Sequence, residues 1–127
     1  MIDRKDIRVT VSLAAISVLE ERRDLIDVMV DPSVVYNWIP SALLVEIGVS
    51  SVRIDRFETA DGRVLEREVG FALLYAAGRS TATVVVFAQG GDRVLVGAIG
   101  LEGMNLQVDH VRRALVPGGP VPVAFAA

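Results

Sequence analysis

Residues 8–13 alternate polar with apolar (Arg-Val-Thr-Val-Ser-Leu), the period of a strand with one buried face. Residues 19–23 interrupt the pattern with charge, and residues 25–30 resume as an apolar strand, so the two runs are expected to pair as a hairpin. Residues 41–47 lie between Pro40 and Gly48, the order that starts and stops a helix of one or two turns. Residues 52–58 and 64–74 read as strands flanking Ala60-Asp61-Gly62-Arg63. Asp-Gly there predicts a type I′ hairpin turn, with φ positive at both central residues. Beyond Gly78, residues 81–87 form a β-branched run suited to a buried strand. Gly90-Gly91-Asp92 predicts a turn before Val94-Leu95-Val96. Residues 100–106 are expected as a short helix, although Gly100 and Gly103 weaken it. Residues 121–126 are expected as a last strand, with Pro122 marking a sheet edge. Strands recurring about every 8–12 residues predict a mostly β fold, a small closed antiparallel barrel or sandwich with one or two short helices.

Composition narrows the chemistry. The chain has 127 residues, and one domain over 1–127 is expected. Apolar residues make up 52% and charged residues 23%, enough for a core and far from a disordered composition. The 13 basic residues are outnumbered by 16 acidic ones, for a net charge of −3. No basic excess exists to neutralise phosphates, so no nucleic-acid partner is expected. With no cysteine and a single histidine, His110, there is no disulfide framework, no thiolate metal site and no histidine-rich zinc centre. Neither a metal nor a cofactor is expected. Gly-rich phosphate loops, a Ser–His–Asp arrangement and EF-hand spacing are not found. The charge-free stretch 32–45 contains two prolines and falls short of the roughly 20 apolar residues of a membrane-spanning helix. The N-terminus, Met-Ile-Asp-Arg-Lys-Asp, has no signal-peptide pattern, and a cytoplasmic protein is expected.

Two pieces carry candidate chemistry. The first is Val28-Met29-Val30-Asp31-Pro32-Ser33-Val34-Val35-Tyr36-Asn37-Trp38-Ile39-Pro40. The second is Val94-Leu95-Val96-Gly97-Ala98-Ile99, followed by Gly100-Leu101-Glu102-Gly103-Met104-Asn105-Leu106. In order and spacing they resemble the retropepsin-like (retroviral-type) aspartic protease family over about residues 9–116, in the form of its bacterial members. That family has an apolar strand ending Asp-Thr/Ser-Gly-Ala and, later, an apolar-apolar-Gly element leading into a short helix. Tyr36, Trp38, Ile39, Pro40, Leu43, Leu44 and Gly48 fall where the pattern expects them. The resemblance implies a closed β-barrel of the acid-protease type and a catalytic role for Asp31. It also implies an active-site loop of Pro32, Ser33 and Val34, and a second motif of Leu95, Val96 and Gly97 lying beside Asp31. Ala60, Asp61, Gly62 and Arg63 become the tip of a flap. A homodimer follows, because each chain supplies one carboxylate. Two carboxylates about 3 Å apart share a proton, one drawing a proton from water while the other polarises the scissile carbonyl.

The active-site motif departs from the family's. Where the family has Asp-Thr-Gly, this chain has Asp31-Pro32-Ser33. Pro32 lacks both the hydroxyl that ties the two loops together across the dimer and a backbone N–H. Ser33 keeps an N–H but adds a Cβ where the family has none. The expectation is a homologue impaired or inactive as a peptidase; the alternative is an active homodimeric aspartic endopeptidase using one Asp31 from each chain. A peptide or protein is the expected substrate or partner. Simpler readings stand beside these. Asp-Pro-Ser is ordinary turn chemistry, residues 60–63 are also an ordinary surface hairpin, and Gly97 also suits a close backbone approach or a bulge. Trp38 is expected in core or dimer packing, and His110 at the surface. Glu20, Glu21, Asp24 and Asp27, offset by Arg22 and Arg23, are expected at a solvated hairpin tip.

Overall fold

The computed structural model describes residues 6–124. The chain is mostly strand with two short helices. Strand β1 (Ile7–Ala15) turns back at Ile16-Ser17 into β2 (Val18–Val30), and the two pair antiparallel along their length. The charged residues 19–23 are therefore not a break but the first half of β2. They escape the alternation rule because that half of the strand is solvent-exposed, with no core face to demand apolar side chains. The hairpin tip is Ile16-Ser17 instead, and the charges lie along the strand, where Arg23 meets Glu46 at 3.0 Å and Arg22 stacks on the Tyr75 ring.

After β2 the chain crosses residues 31–36 to β3 (Asn37–Pro40) and helix α1 (Ser41–Glu46). Pro40 precedes the helix and Gly48, at φ +87°, follows it, as the sequence order predicts. Strands β4 (Ser51–Glu58) and β5 (Val64–Ala76) form the next hairpin, and β6 (Arg79–Ala88) returns along β5. The β4–β5 turn differs from expectation. Only Gly62 has positive φ, and Gly62 N–H donates to Thr59 O, so Asp61 keeps ordinary backbone geometry. Positive φ at two successive turn residues occurs at Ala77-Gly78 instead, where β5 meets β6.

Two-residue β7 (Leu95–Val96) leads into α2 (Ala98–Met104), which starts and ends two residues earlier than expected because Asn105 takes the left-handed conformation that stops it. Gly100 does not weaken the helix without return. A Cβ on it would strike the side-chain oxygen of Asn37, so its absence lets α2 lie against β3. Strands β8 (Leu106–Asp109) and β9 (Ala114–Pro117), which the sequence pattern does not announce, make a separate two-stranded sheet. Residues 121–124 are not strand, contrary to expectation, and the remainder of that predicted strand lies outside the described residues. Pro120 and Pro122 each remove an N–H that a ladder at this point would use.

The seven-stranded sheet has the order β1-β2-β7-β3-β6-β5-β4, and β1 also pairs with β5. It is not antiparallel throughout. The β2–β7 and β3–β6 pairings are parallel, since β7 and β3 reach their neighbours by crossover rather than by a hairpin. One contiguous core includes Leu13, Val28, Ile39, Leu44, Leu74, Val85, Phe87, Val96 and Met104. No helix among the described residues is long and apolar enough to cross a membrane.

Candidate functional site

Asp31 stands where β2 ends. Met29 and Val30 pair in parallel with Leu95 and Val96, and the Asp31 N–H continues the ladder to Val96 O at 2.9 Å. The two sequence-identified pieces thus meet: Asp31 lies beside Gly97, the residue after β7. The junction is tight. A Cβ on Gly97 would stand 2.6 Å from Val34 O and closer still to Tyr36 O, so the glycine is there for close backbone approach. Ala98 N–H donates to Val34 O at 2.7 Å and Ile99 N–H to Val35 O at 3.0 Å, stitching α2 to the loop.

The loop itself is a β-turn. Val34 N–H donates to Asp31 O at 3.2 Å, with Pro32 at the position where its fixed φ is favoured. The Ser33 N–H and hydroxyl both donate to one Asp31 oxygen, Oδ1, at 3.0 and 2.6 Å. Asp31 is half-buried, and Pro32 and Ser33 are exposed. Among the described residues, the hydrogen bonds to the carboxylate come from its own turn.

Asn37, which sequence reasoning missed, holds this junction from below. It is fully buried; its Oδ1 accepts the Gly97 N–H at 3.0 Å. Its Nδ2 donates to Thr83 Oγ1 at 3.1 Å and Val84 O at 2.9 Å, so β3, β6 and β7 are tied through one side chain. Only its polarity within the apolar run Val34 to Ile39 signals it.

The hairpin residues Ala60, Asp61 and Arg63 stand over a cleft of about 680 Å³ whose walls also include Val34, Trp38, Leu65 and Leu95. The Asp31 loop reaches that cleft through Val34. A second cleft of about 580 Å³ shares Val34 and Trp38 and continues past Tyr36 and Phe57. The Trp38 and Phe57 rings pack edge-to-face, 4.9 Å between centroids, on the boundary between the two. Trp38 is therefore half-exposed cleft wall as well as packing, which the sequence reading did not foresee. His110 is exposed, as expected. Among the described residues, no three His, Cys, Asp or Glu side chains converge on a common point.

Charge around the first cleft is organised by two ion pairs. Arg63 meets Asp61 at 3.0 Å on the exposed turn, where the Thr59 hydroxyl and then Arg63 hold the Asp61 carboxyl below its usual range. Arg67 grips Asp92 with two bonds, 2.7 and 2.9 Å, and the Gln89 N–H adds a third at 2.8 Å. The Arg67 bonds above all hold the Asp92 carboxyl below the ordinary carboxylate range. This pair is largely buried and fixes the 89–92 turn against β5. A carboxyl lowered in the folded state stabilises fully above its unfolded pKa, about 3.9, and that contribution fades as pH falls through the lower folded value. Urea denaturation is therefore expected to show Asp92→Asn about 1–3 kcal/mol less stable than wild type at neutral pH. The gap should narrow in acid; a gap independent of pH would show that the Asp92 charge is not its source.

No model of a known protein family matches the chain, and no curated protein matches it.

Proposed function

We propose that this protein is a retropepsin-like aspartic protease homologue impaired as a peptidase. The observation that carries the reading is the meeting of Asp31 with Val96 and Gly97 at the end of an apolar strand, beside a cleft overhung by the 60–63 hairpin. The run of pairings from β1 through β2, β7, β3, β6 and β5 back to β1 favours a closed barrel of that type. In this reading two copies associate and each brings one Asp31 to a shared centre, since one carboxylate cannot act as both acid and base. The impairment lies in the turn. Pro32 offers no hydroxyl to the opposing loop, and both Ser33 donors are already spent on the Asp31 Oδ1 of their own chain. Little remains to hold two loops at the spacing a shared proton requires.

The test is cleavage of a peptide library, assayed from mildly acid to neutral pH. Wild type is expected to cleave weakly or not at all. The double variant Pro32→Thr with Ser33→Gly should cleave at least about tenfold faster, and adding Asp31→Asn should abolish the gain. Strong wild-type cleavage that Asp31→Asn eliminates would overturn the impairment while keeping the class. A folded double variant that stays inert, or cleavage that survives Asp31→Asn, would overturn Asp31 as the catalytic residue.

A further inference from the structure

We propose that the two clefts flanking Trp38 bind an extended peptide, and that Arg93 selects an acidic side chain at the first of them, next to an apolar residue in the second. This rests on the reading of the cleft as a peptide site and adds its specificity. Length argues for a peptide. The clefts measure about 680 and 580 Å³ and share Val34 and Trp38, so together they form a track longer than one side chain. Chemistry distinguishes their two ends. The second is lined on one side by Tyr36, Trp38 and Phe57, aromatic surface suited to an apolar side chain. On β4 it is also lined by Asp55, Arg56 and Glu58, where two carboxylates outnumber the one guanidinium and give an acidic side chain no advantage.

At the first cleft the charges do not cancel. Asp61 is held by Arg63, and Asp92 by Arg67, so each carboxylate of the wall already has its cation. Arg93 also lines this cleft, and among the described residues no carboxylate lies within ion-pair distance of it. Its neighbour Asp92 is clamped by three hydrogen bonds, which places Arg93 on a fixed stretch of chain leading into β7. An unmatched guanidinium over an apolar wall of Val34, Trp38, Leu65 and Leu95 complements a carboxylate carried on an otherwise apolar segment.

Trp38 is the only tryptophan, so its fluorescence reports the cleft directly. The probe is a blocked hexapeptide, Ala-Leu-Glu-Phe-Leu-Ala, compared with versions carrying Gln or Lys in place of Glu. The Glu peptide is expected to bind about tenfold more tightly than the Gln peptide, with the margin shrinking as salt rises. Arg93→Gln should erase the margin without changing the thermal melt, and Arg93→Glu should turn the preference toward the Lys peptide. Equal binding of the Glu and Gln peptides to wild type would overturn the acidic selectivity and leave the peptide cleft standing. No binding of any of the three, by fluorescence and by calorimetry, would overturn the cleft reading itself. Neither result depends on turnover, so neither is confused with the loss of peptidase activity.

Discussion

Asn37→Ala is expected to lower the free energy of unfolding by about 3–5 kcal/mol, a large share of the roughly 5–15 kcal/mol available to a domain of this size. The expected cost follows from counting partners. Asn37 is wholly buried and makes three hydrogen bonds: it accepts from the Gly97 N–H and donates to Thr83 Oγ1 and Val84 O. Truncation leaves those groups in an apolar interior with nothing to replace the amide, and each buried group left unpaired costs about 1–3 kcal/mol. Loss of volume beside Gly100 adds to this, since the Asn37 side chain fills the space against α2 that a Cβ on that glycine would claim. The check is denaturant unfolding combined with amide exchange. The midpoint should fall sharply, and the Gly97 amide should lose protection more than the amides of the β5–β6 ladder. A variant within about 1 kcal/mol of wild type would show that these bonds do not hold the junction.

That one residue matters so much explains what the sequence could and could not disclose. Alternation in residues 8–13 announces β1 because one face of that strand meets the core and the other does not. The first half of β2 hides from the same rule because it meets solvent, so its glutamates and arginines resemble a loop. The juxtaposition of Asp31 and Gly97 is legible only through motif order: an apolar strand ending in Asp, then an apolar-apolar-Gly element whose glycine comes about 65 residues later. Nothing local in either segment requires that they meet. Asn37 is harder still. Its partners Thr83, Val84 and Gly97 are 46 to 60 positions away, and a single Asn between two aromatic residues is equally at home in a surface turn.

The charges follow the same logic. The Arg67–Asp92 pair spans 25 positions and joins a strand to a turn, so neither residue stands out from its neighbours in the chain. Arg93 gains its interest only after Asp61 and Asp92 are seen to be matched elsewhere. The Asp31-Pro32-Ser33 turn is the opposite case, because its chemistry is local. Asp-Pro-Ser reads in the sequence as ordinary turn chemistry, and the loop is a turn with proline at its second position; that Ser33 bonds back to the Asp31 carboxylate is visible only in the structure.

Gly97→Ala is expected to destabilise the protein by about 3 kcal/mol, at the upper end of the range for adding a single methyl to a packed site. Backbone conformation is not the reason, since Gly97 sits at φ −98° and ψ −173°, which any residue adopts. The obstacle is what faces it. The added methyl would meet Val34 O and Tyr36 O, two main-chain carbonyls that cannot rotate away as a side chain would. Val34 O is also the acceptor for Ala98 N–H, so relief of the clash moves the 34–36 loop and weakens the start of α2. The same movement is transmitted to Asp31 through its turn bond with the Val34 N–H. Two outcomes should therefore appear together: a lower denaturation midpoint with unchanged slope, and an altered environment for Trp38, which pairs with Leu95 across β3 and β7. Gly90→Ala is the matched control. Its position has open space within 4 Å and no positive φ, so it should stay within about 0.5 kcal/mol of wild type. If both alanines behave alike, close approach at Gly97 is not what draws the Asp31 loop and β7 together.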